Sequence, residues 1–295
     1  MLDATRQIFE ATKSLDERSP DRRTMVLAAS ALDLDLLPEL YRFLQHLEPV
    51  ERLDLVLYGR GGEINAARRI ALVLRRFAKT LRFIVPHHCQ SSCTALALSG
   101  DQIIGGDLAM FSPIDPRLNA SDGVGEESPS ALASEDVRLF REMGEKWFGI
   151  SADERAQLLE YLAASIFPTT LTSLYRASEE VKAIGEELIK FQLPEVSSKG
   201  RTQIIEQLLF GYHSHSYSLT IDDLEKLGLN VARDPQVESE AWKIAQQLPH
   251  IVGGGARQSP QDPRTDVLIG TGDEVRVRQW LPGTMAPSWS NVLVE

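Results

Sequence analysis

Short apolar runs alternate with stretches of helical periodicity along the first third of the chain. The runs at 24–30, 53–58, 81–86 and Gln102–Gly105 read as buried strands. Between them, 36–47, Ile64–Phe77 and 92–98 carry apolar residues at helical spacing, and residues 1–18 form one more amphipathic helical pattern. In the Ile64–Phe77 segment, Ile70, Leu72, Val73, Leu74 and Phe77 make the apolar face, and Arg68, Arg69, Arg75 and Arg76 are expected in solvent. Strands alternating with helices imply a largely parallel sheet covered on both sides.

The pattern changes after Asp115-Pro-Arg. Residues 119–130 are polar, acidic and rich in turn formers, as a mobile loop is, and helical patterns then follow at 134–148, 151–166 and 171–191. These helices are expected to form an arm or lid. A polar segment holding His213 and His215 precedes Thr220-Ile-Asp-Asp223, a capping-box helix start whose helix closes at Gly228. Gly253-Gly-Gly255 opens a linker, and Pro and Gly punctuate the residues beyond as in a tail. The expected organisation is an N-terminal helix (1–23), a core (24–117), a mobile loop (118–131), a helical arm (132–210), a return to the core (211–252) and a linker with tail (253–295).

With 295 residues and 43% hydrophobic composition, the chain can bury a large core. Its net charge of -11 argues against a general nucleic-acid or anionic-membrane binder. Cys89 and Cys93 are too few and too close for a disulfide framework. With no export signal or apolar run of bilayer length, the sequence reads as a cytoplasmic protein without a membrane span.

Two loops carry candidate chemistry. Gly61 and Gly62 follow the second strand and leave N–H groups where an oxyanion could bind, while Ser91 stands at a strand-to-helix turn with Ser92 behind it. If the loops converge, the N–H groups of Gly62 and Ser92 could serve one carbonyl oxygen; an ordinary β-α turn would also use such glycines. A serine needs a base, for which His213 and His215 are candidates; Lys146, Lys182 and Lys190 are rivals on charged helices. Asp115 could orient a base or cap a turn. His87, His88, Cys89 and Cys93 could instead be read as a metal cluster, although structural zinc usually draws ligands from two segments. Cys93 is a further nucleophile candidate, placed within the helix.

Residues 57–70, Ser91-Ser-Cys-Thr-Ala-Leu-Ala-Leu98 and Phe111-Ser-Pro-Ile-Asp-Pro116 together resemble the serine dehydrogenase proteinase family, a branch of the Clp protease/crotonase-like superfamily related to signal peptide peptidase A. The similarity continues through Leu174-Tyr-Arg176 and His213-Ser-His-Ser-Tyr217 into Leu227-Gly-Leu229, covering roughly residues 24 to 232. It implies an α/β fold with a Clp/crotonase-like ββα spiral core and a helical extension. It also implies a nucleophile at Ser91, oxyanion donors at Gly62 and Ser92, a peptide or protein substrate, a homo-oligomer and no cofactor or metal. The position matching the Clp catalytic histidine is Ser112, and His215 falls beside the place of the Clp triad carboxylate. The resemblance leaves three readings: a serine peptidase using Ser91 and His215, an inactive scaffold that binds protein partners, and a crotonase-like acyl-CoA enzyme.

Overall fold

The computed structural model describes residues 2–18, 21–47, 50–118, 132–252, 259 and 262–292. In chain order the elements are α1 (Leu2–Glu17), β1 (Arg22–Ala29), α2 (Leu37–Leu47), β2 (Val50–Gly59), α3 (Ile64–Phe77), β3 (Ala78–Val85), β4 (His88–Cys89), α4 (Ser92–Ala97), β5 (Gln102–Gly105) and β6 (Met110–Phe111). There follow β7 (Arg117–Leu118), β8 (Leu132–Ala133), α5 (Ser134–Phe148), α6 (Arg155–Ser165), α7 (Pro168–Gln192), α8 (Ser198–Phe210), α9 (Ile221–Lys226), β9 (Val231–Ala232), α10 (Pro235–Gln247), β10 (Arg264–Gly270), β11 (Val275–Trp280) and β12 (Ser288–Asn291).

The fold is α/β, built on one sheet in the order β12-β11-β10-β1-β2-β3-β5-β9. The strands from β1 to β9 run parallel, and β10, β11 and β12 add antiparallel to the β1 edge. Side chains of β1 and β2 alternate between two cores, as a pleated strand covered on both faces requires. Met25, Leu27 and Leu55 pack toward α3, α7 and α8, whereas Val26, Ala28 and Val56 pack toward α1 and α10.

A second row of short pairings runs beyond the carboxyl ends of the long strands. Leu32 bridges Gly62, β2 meets β4 at Gly59 and Cys89, β4 pairs β6, and Phe111 bridges Leu219. Each turn of chain thus supplies a long strand, a short extended segment and a helix, and the short segments gather the loops of successive turns at one end of the sheet.

The C-terminal residues differ from the expected tail. Residues 264–291 form the three-stranded antiparallel extension, because Val267, Ile269, Val275 and Val277 alternate inward against the same cores as β1. Two of the helix α3 arginines also differ from their expected solvation. Arg75 reaches the Ser99 carbonyl at 2.7 Å and Asp101 at 2.7 Å, while Arg68 pairs with Glu187 of α7. The capping box at Thr220 and Asp223 is present, and Gly228 closes that segment at φ +85°. Residues 119–131 of the expected loop and the Gly253–255 linker lie outside the described residues.

Candidate active site

Four loops meet at the carboxyl ends of the parallel strands, where open α/β sheets place their sites. Ser91 precedes α4 with φ 51° and ψ -122°, the only positive φ among the described non-glycine residues. Such backbone costs about 1–3 kcal/mol and persists only where its surroundings hold it. Those surroundings are specific: the Ser91 N–H donates to Ser112 Oγ at 2.8 Å, and the Ser112 hydroxyl donates to the Pro113 carbonyl at 3.0 Å. Thr94 completes the brace, accepting from the Ser112 N–H at 3.2 Å and donating to the Cys89 carbonyl at 2.6 Å. Ser112 is 1% exposed and engaged with backbone.

The glycine turn is tied to this elbow. The Gln90 N–H donates to the Gly59 carbonyl at 3.0 Å, and the Ser92 hydroxyl donates to the Gly62 carbonyl at 2.6 Å. Gly61 and Gly62 take φ 130° and 125°, conformations open to glycine alone. The neighbouring Leu32 uses its N–H on the Gly61 carbonyl and its C=O on the Glu63 N–H, so this bridge leaves the Gly62 N–H unused. Ser92 is the first residue of α4, where N–H groups have no intrahelical acceptor.

His215 arrives from far downstream. Its Nδ1 lies 2.8 Å from Asp115 Oδ1. Asp115 is 3% exposed, and its Oδ2 has no hydrogen-bond partner among the described residues. A carboxylate only accepts, so Nδ1 carries the proton in this pair, and in the neutral imidazole Nε2 is left as the acceptor. Gly62, Ser91, Ser92, Asp115 and His215 line a single cavity of about 460 Å3, walled elsewhere by Ile64, Ile114 and Val181. Chemically this assembles a hydroxyl, an imidazole oriented by a buried carboxylate, and backbone donors, the parts that acyl transfer needs.

Residues 35–124 match the family of ClpP-like SDH-type serine proteinases. Over 206 residues the chain is 26% identical to the uncharacterized protein MJ0137 of Methanocaldococcus jannaschii, covering 70% of this chain and 62% of that one. A second protein of that organism, MJ1495, is 25% identical over 201 residues, covering 68% of this chain and 58% of the relative. The chain thus aligns with about three-fifths of the length of these curated relatives. Among solved structures, a mutant of the 1510-N membrane-bound stomatin-specific protease is 15% identical, with a TM-score of 0.39 over 73% of this chain and 79% of that one. ClpP1 from Listeria monocytogenes is 12% identical, with a TM-score of 0.40 over 76% and 97%.

The other residues singled out in the sequence lie elsewhere. His213 lines a separate cavity with Trp147 and Lys146 of α5. Lys146 pairs with Glu142 and Lys182 with Glu206, both at 2.6 Å, and Lys190 is exposed on α7. Cys89 and Cys93 form no disulfide and have no exposed surface, and burial pushes the Cys89 thiol well above its ordinary value. Among the described residues no cluster of His, Cys, Asp or Glu is placed to hold a metal ion, and no helix is long and apolar enough to cross a membrane. His87 and His88 pack with Tyr58. Burial lowers both imidazoles, His88 to about 4 with help from His87 and Arg60.

Further segments that line the cavity were not anticipated from the sequence. Val181 brings the long helix α7 into the cavity wall, and Asp33 brings the loop after β1. Asp33 had one readable signal, an acidic residue just beyond the end of an apolar strand.

Proposed function

We propose that this chain is a serine peptidase in which Ser91 attacks a peptide carbonyl, His215 accepts the hydroxyl proton and Asp115 orients and stabilises the resulting imidazolium. The Gly62 and Ser92 N–H groups hold the oxyanion, and His215 then returns the proton to the leaving amine. Water repeats the cycle on the acyl-enzyme. The observation that carries this reading is the convergence of the Ser91 elbow, the Gly62 turn and the Asp115–His215 pair on one cavity. No step calls for a cofactor.

The match to a serine proteinase family supports the same chemistry. The test is labelling of purified protein by a fluorophosphonate probe, beside Ser91→Ala and His215→Ala. Labelling of the wild type alone supports the reading, and labelling that survives in Ser91→Ala refutes it. Exposed Trp147, Phe148, Tyr161 and Phe167 on the α5–α7 arm support self-association, which light scattering on the purified chain would test. The two cysteines, neither in a disulfide, support a reducing, cytoplasmic setting.

A further inference from the structure

Behind the glycine turn lies a clamp built from the C-terminal strands, outside the residues that match the family. Arg278 of β11 is 4% exposed and holds two carboxylates. Its Nη1 and Nη2 reach Asp33 Oδ1 and Oδ2 at 2.9 and 2.6 Å, while Nε and Nη2 reach Asp266 Oδ1 and Oδ2 at 3.0 and 2.8 Å. Asp266 is held in turn by the Trp280 indole N–H at 2.8 Å, and its carbonyl accepts from the Ser30 N–H at 2.8 Å. The 30–33 loop is therefore fixed at both ends by β10 and β11.

That loop is the floor on which Gly62 rests. Leu32, directly before Asp33, makes both hydrogen bonds that flank Gly62, at 2.7 Å to the Gly61 carbonyl and 2.8 Å from the Glu63 N–H. The approach is so close that a Cβ on Gly62 would fall 2.2 Å from the Leu32 nitrogen. A shift of the loop must therefore move the Gly61–Glu63 backbone with it.

We infer that Arg278 is a positioning residue for the reaction, setting the aim of the Gly62 N–H through Asp33 and Leu32. This rests on the reading of Gly62 as an oxyanion donor. The planar guanidinium suits the task because it fixes both carboxylates in two dimensions, which a lysine ammonium cannot do. Misplacement of a catalytic group by about 1 Å costs about 100-fold.

The test uses the full chain with Arg278→Met, Arg278→Lys, Asp33→Ala and the Arg278→Met/Asp33→Ala double variant, each verified as folded by circular dichroism. Hydrolysis of a p-nitrophenyl acyl ester is expected to lose kcat by about 10–100-fold in Arg278→Met, with KM little changed. Arg278→Lys recovers part of the loss, and the double variant is no slower than the slower single one. Loss in Asp33→Ala with full activity in Arg278→Met would make Asp33 a substrate contact and overturn the inference.

Hydrogen exchange at the Leu32 and Glu63 amides separates this inference from the peptidase reading. The clamp predicts faster exchange at both in Asp33→Ala, which leaves Arg278 paired with Asp266. Unchanged exchange there, with Asp33→Ala and Arg278→Lys both folded, overturns the clamp. Wild-type protein that fails to label, with accelerated exchange in the variants, retains the clamp and overturns only the assigned chemistry.

Discussion

Replacing Gly62 by alanine tests the close approach on which the proposed oxyanion geometry depends. An alanine Cβ would lie 2.2 Å from the Leu32 nitrogen and 2.3 Å from its carbonyl oxygen, where carbon contacts prefer about 3.5 Å. Both obstacles are backbone atoms already committed to hydrogen bonds, so neither can swing aside as a side chain would. The backbone at φ +125° adds strain of about 1–3 kcal/mol, and overpacking adds about 1–3 kcal/mol more. The sum, about 2–6 kcal/mol, corresponds to a Tm lowered by about 3–10 °C in a chain of this size. Gly228→Ala is the control, since Gly228 also has positive φ, at +85°, but no atom within 4 Å of its Cβ position. Scanning calorimetry of the two variants isolates crowding from dihedral strain. Equal Tm values would show that Leu32 does not press on Gly62, and the reasoning would fail.

Other substitutions probe the base, the elbow and the pH response. Asp115→Asn keeps the shape but lets the amide N–H donate to His215 Nδ1, which puts the ring proton on Nε2. Fluorophosphonate labelling is expected to slow by about 10⁴-fold, and near-normal labelling would remove Asp115 from the mechanism. Ser112→Ala leaves the Ser91 N–H without its acceptor, a loss of about 1–3 kcal/mol visible as a lower urea midpoint. An unchanged midpoint would mean that Ser112 does not brace the elbow. His88 has a folded-state pKa lowered from 6.5 to about 4, so the unfolded chain binds the proton more readily. Stability from this group is full above pH 6.5 and is lost as pH falls toward 4, and His88→Gln should flatten that part of the urea-midpoint profile.

Much of the frame was legible because apolar spacing reports burial directly. Ile64–Phe77 and Ser134–Phe148 have the bounds that their periodicity predicts, and the loops bearing Gly62 and Ser91 follow from their strands. Local pattern does not reveal the partner of a charged residue. Arg75 and Arg68 look like a solvated helix face, yet their acceptors lie on other elements, in the Ser99–Asp101 turn and on α7. His213 and His215 are equivalent by composition, and only the path of the loop past Asp115 separates them. The alternation in 264–280 was readable as strand, but frequent glycine and proline nearby suggested a tail. The sheet edge that β10 completes is set by β1, more than two hundred residues earlier, and no local signal could announce it.

Ser91 occupies a backbone conformation in which glycine would be at ease. A glycine there would relieve the standing strain and raise the melting temperature, while erasing the hydroxyl. Random selection for heat resistance should therefore find this position early, and the resulting protein would be sturdier and, on the proposed chemistry, mute. The elbow marks the spot where robustness of the fold and the proposed chemistry pull in opposite directions.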